Sequence, residues 1–487
     1  MNILRRLAGI GVVAVMCGGI VAIDRQNNTV NTGAISALVP YAGFPQAVSG
    51  SRISTSWFCP GAAAGDGISG AFVVIANPSD EEIVASLRLL SDASGPIENV
   101  TVEPRSQKKI DVLRGRTVGV VAPVVEIVGS AGSVEQELLY AAGDVTAQCV
   151  SQTSSSWYFA DGFTMEGTTQ RLVLINPFPE SAVVNVSYTT RDGKRTPSAL
   201  QGLIVSPQSA KNVSLADAGA ANESRIAVEV IATTGQIVAS RTQHYLGGGR
   251  LGYSTSVGVP EALGEWWFVS GRTGDSVTEE LVVFNPTDVD AQVNVTFFGE
   301  GITNNIAIDE VGGPALPSQV VDIPAGEVVG INTNNIADLP KGDHAMVVST
   351  LNDARVVVEH VLSQKTASSS FTAITNGIPS GLLTPKWRVP TGLAKGARNA
   401  LSVLNVTATD GTYTVFSIGP GGQVGLPGLI DVPLPAASLT FLDVPEGAKD
   451  GEVIIQSSVD IAVQRRTRRG NGLVGFGIVS ALPVRSR

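Results

Sequence analysis

Residues 156–190 read SWYFADGFTMEGTTQRLVLINPFPESAVVNVSYTT, and the pattern of this stretch decides the fold. Its middle, Leu172-Val173-Leu174-Ile175, is an uninterrupted apolar run, as expected of a strand buried on both faces. Asn176-Pro177 then stops it, because proline has no N–H to give a ladder and asparagine favours turns. After the turn the pattern changes to alternation. Val184, Val186 and Tyr188 point one way, and Asn185, Ser187 and Thr189 the other. A period of two predicts one face on a core and one in water.

The same unit recurs. SWFCPG at Trp57, SWYFADG at Trp157, WWFVSG at Trp267 and KWRVPTG at Trp387 open four copies spaced 100, 110 and 120 residues apart. Each leads to an apolar run closing on an asparagine: Asn77, Asn176, Asn285 or Asn405, at 20, 19, 18 and 18 residues from its tryptophan. Pro78, Pro177 and Pro286 follow in the first three copies, and Val406 in the fourth. A register that holds while other lengths drift marks an internal repeat, so these tryptophans and asparagines are predicted to form its core. Downstream, each copy has a strand announced by a proline (Pro104, Pro207, Pro324, Pro433). Asp192-Gly193 and Asp410-Gly411 read as hairpin turns. AVEVIA-TTGQ-IVASRT, AMVVST-LNDA-RVVVEH and EVIIQS-SVD-IAVQRR read as apolar hairpins in copies two, three and four.

The predicted fold is all-β: four tandem immunoglobulin-sized β-sandwich-like repeats at residues 51–150, 151–259, 260–378 and 379–487. Residues 1–26 read as a signal anchor or signal peptide, and 27–50 as a linker or first strand. The strand-like stretch ahead of each boundary, such as Gly252–Val259 or Phe371–Ile378, fits either neighbour. If it completes the following copy, Val474–Ala481 is left to pair back on the start. That would close the repeats into a ring or propeller-like assembly, the alternative to an open array.

The WYFADG opening, the LINP strand end and the repeat spacing resemble an exported, uncharacterised actinobacterial envelope family, a domain of unknown function. The likeness spans about residues 50 to 480. Copy four departs from it, lacking an aromatic after Trp387 and a proline after Asn405. The resemblance implies an envelope location in a high-GC Gram-positive bacterium and a non-catalytic role.

The N-terminus bears on location. Arg5 and Arg6 precede an apolar run of 17 residues, Leu7–Ile23, closed by Asp24 and Arg25. That is the lower edge of a membrane-spanning helix, with its basic flank kept cytoplasmic. Ile20 sits at −3 of the best cleavage point, which favours an uncleaved anchor over a removed signal peptide. The expected location is the cell membrane, single-pass, with an extracytoplasmic C-terminal region; secretion after cleavage is the alternative. In that setting Cys59 and Cys149 are expected to form a disulfide.

A net charge of −10 disfavours nucleic acid, and the three histidines, His244, His344 and His360, form no metal motif. Gly247–Gly252 satisfies GxGxxG, but the strand-like Tyr253–Val257 follows it, so a hairpin loop is expected. Ser106 and Lys109 fit SxxK on a segment that reads as strand, where they splay apart. No catalytic residue, cofactor or metal ligand is expected. Arg465, Arg466, Arg468 and Arg469 carry two readings: contacts to anionic envelope polymers or lipid headgroups, or charges on a solvated edge strand. The tryptophans also carry two, as core anchors or as platforms for sugar rings. The expected function is a non-catalytic extracytoplasmic scaffold or binding protein of the cell envelope. Its expected partners are the membrane, through the N-terminal helix, and envelope polysaccharide or another envelope protein. A carbohydrate-binding module array and a glycan-processing hydrolase are the alternatives.

Overall fold

The computed structural model describes residues 41, 43–47, 53–129, 132–302, 319–365, 370–390, 397–445, 448, 451–469 and 476–484. The N-terminal apolar run lies outside them. Contacts divide the chain into residues 1–42 and 43–487, and the fold below is that of the second part. Among the described residues no helix is long and apolar enough to cross a membrane.

The described chain is all-β, and each of the first three copies holds two antiparallel sheets. In copy two, one sheet runs Ser156–Phe159, Ala227–Thr234, Ala182–Thr190, Gly193–Arg195 in spatial order. The other runs Ser209–Ser214, Thr169–Asn176, Val238–Gly247, Arg250–Val257. The run Leu172–Ile175 is an inner strand with a partner on each side, and all four residues are fully buried. The tryptophan strand and the asparagine strand therefore lie in opposite sheets.

The paired apolar segments are not hairpins. Ala227–Thr234 and Val238–Gly247 sit in different sheets, joined by an arch over the sandwich edge, and so do Gly342–Thr350 and Val357–Lys365. Each arm already has a ladder partner on both sides, which leaves it no free edge for the other arm. In copy four the arch straightens into one 18-residue strand, Glu452–Arg469. Its first part pairs with Thr384–Pro390 and Gly411–Gly419, its second with Ala397–Asn405 and Phe476–Ser480. A hairpin does form beside Gly193, across Thr190. Asp410 makes none; it lies in the loop after Asn405, where its carboxylate accepts the Ala436 N–H.

Trp57, Trp157, Trp266 and Trp387 are fully buried. The indole N–H groups of Trp157 and Trp266 donate to the carbonyls of Ile237 and Val356 at the arches of copies two and three, and that of Trp387 to the Ile461 carbonyl within the long strand of copy four. In copy three the repeated position is thus Trp266 rather than Trp267. Trp267 is buried as well, but its indole bonds to Glu265. Two adjacent tryptophans offer no choice by spacing alone; strand alternation makes it.

The asparagines tie three segments together. Asn176 Nδ2 donates to the carbonyls of Glu180, Val205 and Ser206 at 2.7–3.1 Å, and Oδ1 accepts from the Phe178 N–H. Asn77 and Asn405 repeat the full set, and Asn285 two of its donations. Only an amide both donates twice and accepts in this geometry, so the asparagine survives in copy four where the proline does not. The downstream prolines mark a turn whose next residue is left-handed: Arg105 (φ 51°) and Gln208 (φ 47°). The matching residues are Gly326 (φ 73°) and Ala437 (φ 52°), so in copy four the turn is led by Pro435, not Pro433. A β-carbon is disfavoured in that region, and Ala437→Gly is expected to stabilise the protein by about 0.5–1 kcal/mol in urea unfolding.

The last strands, Val145–Gln148, Arg250–Val257, Ser370–Asn376 and Phe476–Ser480, each pair within their own copy. Just beyond them the chain returns to its own tryptophan strand, joining Val150 to Phe58, Val259 to Tyr158, Ile378 to Trp267 and Leu482 to Arg388. These four strands also pack on one another in cyclic order: copy one on two, two on three, three on four, and four on one.

Cys59 and Cys149 form a disulfide between the tryptophan strand and this return. In copies two and three the same positions hold Phe159 with Gly258 and Phe268 with Gly377. A β-carbon on either glycine would stand 2.8 Å from the phenyl ring. Copy four has Val389 and Ala481, both buried. Chemically different pairs fill one place.

Candidate functional site

The polar face of the alternating strand in copy two is covered only in part, with Asn185 half-buried and Ser187 and Thr189 buried. One side of the first sheet of copy one packs against the second sheet of copy two, the tryptophan strands of copies two and three pack against strands of the next copy, and the second sheet of copy one contacts the tryptophan strand of copy four. Thr189, on that polar face, is buried and donates to the Gly326 carbonyl of copy three. Alternation reports two chemically different faces; it does not report what covers them.

The seams carry buried charge. Glu135, Ser240, Glu359 and Gln464 occupy one register position, opposite Gln148, Val257, Asn376 and Ser480. Three of them reach backbone a few residues after the preceding copy's buried tryptophan. Ser240 Oγ donates to the Pro60 carbonyl, Glu359 Oε2 accepts the Asp161 N–H at 2.6 Å, and Gln464 Oε1 accepts the Val269 N–H at 2.9 Å. Copies two and four carry an arginine at the next residue. Arg241 is clamped on Glu359, with Nη2 2.8 Å from Oε1, and also donates to the Asp161 carbonyl. Arg465 is clamped on Glu135 of copy one and donates to the Pro390 carbonyl. All four side chains are buried. Burial pushes the Glu135 carboxyl up to about 6, with the Arg465 charge pulling the other way. Burial likewise raises Glu359 against Arg241. Glu135, Arg241 and Glu359 escaped the sequence reading, and Arg465 was read there only as one of a cluster; the shared register of these positions was the available signal.

The arginine cluster is therefore not an edge strand. Arg465 is spent on Glu135, and Arg466 pairs with Asp343 at 2.6 Å and donates to the Gly271 carbonyl. Arg468 lies over the Phe476 ring. The Arg469 side chain is outside the described residues. The strand bearing them has partners on both sides; Arg465 and Arg466 lie at the seams of copy four with copies one and three, while Arg468 is exposed.

In copy three a second buried cluster forms. Glu279 Oε1 bonds to His360 Nε2 at 2.8 Å and accepts the Arg272 N–H, while Thr333 donates to Oε2. His344 Nε2 stands 2.8 Å from Oε2. Gly271 is needed here, since a β-carbon would sit 2.7 Å from the His344 ring and 2.8 Å from Glu279. Burial opposes ionisation of Glu279, but His344 and His360 outweigh it and hold the carboxyl well below its ordinary range. A depressed carboxyl stabilises the fold above its unfolded value and loses that contribution as pH falls. Glu279→Gln is expected to lower the melting temperature at pH 7 and to flatten its decline below about pH 4.5, measured by thermal unfolding against the wild type. Among the described residues no group of His, Cys, Asp or Glu is arranged to hold a metal ion.

The last strands enclose a cavity of about 60 Å³, lined among others by Gln148, Thr255, Asn376 and Ser480 and bordered by Phe44 and Pro45. Ala47 N donates to the Pro483 carbonyl beside it. That volume suits a few waters, not a ligand of the ~300–1,000 Å³ class.

Taken together, fold and seams define a disulfide-bonded, all-β protein of sandwich-like repeats. A family model described as a family of unknown function, DUF5719, matches residues 140–250, the stretch around copy two. No curated protein matches the chain. Among solved structures, a crystal structure of Thermotoga maritima 1070 aligns at 15% identity and a TM-score of 0.20. It covers 24% of this chain and 95% of that one.

Proposed function

We propose that this chain is a non-catalytic, extracytoplasmic scaffold or binding protein of the cell envelope, whose four repeats close into one ring and act through their outer surfaces. The Cys59–Cys149 disulfide carries the location, because such bonds persist outside the reducing cytosol. The Arg465–Glu135 pair supports the ring, since it joins the last copy to the first. An actinobacterial envelope and anchoring through residues 1–26 remain part of the proposal. The test is thiol trapping in intact cells of the native host, combined with fractionation. Cys59 and Cys149 should resist alkylation until a reductant is added, and the chain should be found outside the cytosol. Freely alkylated thiols on a cytosolic protein would overturn the reading.

A further inference from the structure

We propose that the cleft between copies one and two is a binding site for a single pyranose ring, with Phe178 as its stacking face. The inference deepens the surface-binding function above. The cleft measures about 240 Å³, just under the ~300–1,000 Å³ of sites for drug-sized ligands, so it admits one ring rather than a long chain.

Its floor is the outer face of the first sheet of copy one, in two cross-strand rows. One reads Ser56, Glu126, Ser86; the other Phe58, Val124, Arg88, Ile97. Its wall is Pro177, Phe178 and Gln208 from copy two. Phe178 is 41% exposed although it occupies the landmark turn of its repeat. In the other copies that position is Ser79, Thr287 or Thr407, whose hydroxyl bonds to the repeat asparagine. Copy two alone gives up this hydroxyl for an aromatic ring, while Asn176 still holds the Phe178 backbone in place. The ring is thus presented on a fixed loop, at little entropic cost to a ligand.

The polar groups around it are free. Ser56, Arg88, Glu126 and Gln208 line the cleft with no side-chain hydrogen bond or ion pair among the described residues. The corresponding face of copy two consumes its polar groups internally, with Ser187 and Lys194 both donating to Glu229. A guanidinium, a carboxylate, an amide and a hydroxyl beside an aromatic face match the vicinal hydroxyls and apolar C–H face of a sugar. An isolated anion is disfavoured, because Glu126 shares the cleft with Arg88.

The test is saturation-transfer NMR and calorimetry on the full chain with methyl glucoside, methyl mannoside, methyl galactoside and N-acetylglucosamine. Saturable binding of at least one is expected. It should weaken about tenfold in Phe178→Ala and in Arg88→Gln, roughly the loss of one good contact, and stay unchanged in Val320→Ala, an exposed control on copy three. Unaltered melting temperatures would show that the variants fold. No saturable binding to any of the four, equal affinity in Phe178→Ala, or preferential binding of inorganic phosphate would each overturn the site. Thiol trapping and fractionation read the proposed location independently, so the two ideas fail separately.

Discussion

Replacing Arg241 or Arg465 with alanine is expected to destabilise the protein by about 3–5 kcal/mol, among the largest single-residue effects outside the aromatic core. Each guanidinium is buried and clamps a buried carboxylate, Glu359 or Glu135, in the adjacent copy. Removal leaves that carboxylate without its counter-charge in a site that water does not reach, and the desolvation penalty then stands uncompensated. The apolar double variants Arg241→Met/Glu359→Leu and Arg465→Met/Glu135→Leu should recover most of the loss, because both charges leave together. The pair of single variants also discriminates between architectures. Arg241 joins neighbouring copies and would matter in any array. Arg465 and Glu135 are 330 residues apart and meet only where the fourth copy packs on the first. Equal losses in urea unfolding would fit a closed ring; a loss confined to Arg241→Ala would mean an open array.

Removing the disulfide is expected to cost about 4 kcal/mol in Cys59→Ala/Cys149→Ala. The cross-link spans 90 residues, a loop whose closure restricts the unfolded chain strongly, and the truncation also leaves a gap beside Trp57. The other copies suggest how to replace it. Cys59→Phe/Cys149→Gly copies the Phe159–Gly258 and Phe268–Gly377 pairs, and it should regain about 1–2 kcal/mol of the loss through buried ring surface. The two variants are compared by urea midpoint under oxidising conditions. If the phenyl–glycine version were no more stable than the double alanine, these positions would not be equivalent packing solutions.

How far the sequence reaches can be judged residue by residue. The run Leu172–Ile175 declared a strand with both faces covered, and the structure has it; the alternation after Asn176 declared a strand with one face on a core and one in water, and the structure has the strand with its polar face partly covered. The asparagine at each strand end was visible as a fixed interval. Its role was not, because the carbonyls it ties, such as Val205 and Ser206, come from a segment 29 and 30 residues away. The apolar–turn–apolar segments looked like hairpins because an arch and a hairpin share one pattern. They differ only in whether each arm finds its partners elsewhere. The arginine run looked solvated for a similar reason: charge in a sequence is visible, whereas the carboxylate that buries it belongs to another copy.

By itself, then, the sequence determined the strands, their repetition and the paired cysteines, all consequences of local preference and of which side chains avoid water. Only the tertiary structure decided which sheet each strand joined, which polar face was covered, and where Glu135, Glu359 and Glu279 found their counter-charges. Those outcomes depend on contacts between segments far apart in the chain, where neither periodicity nor composition carries a trace of the partner.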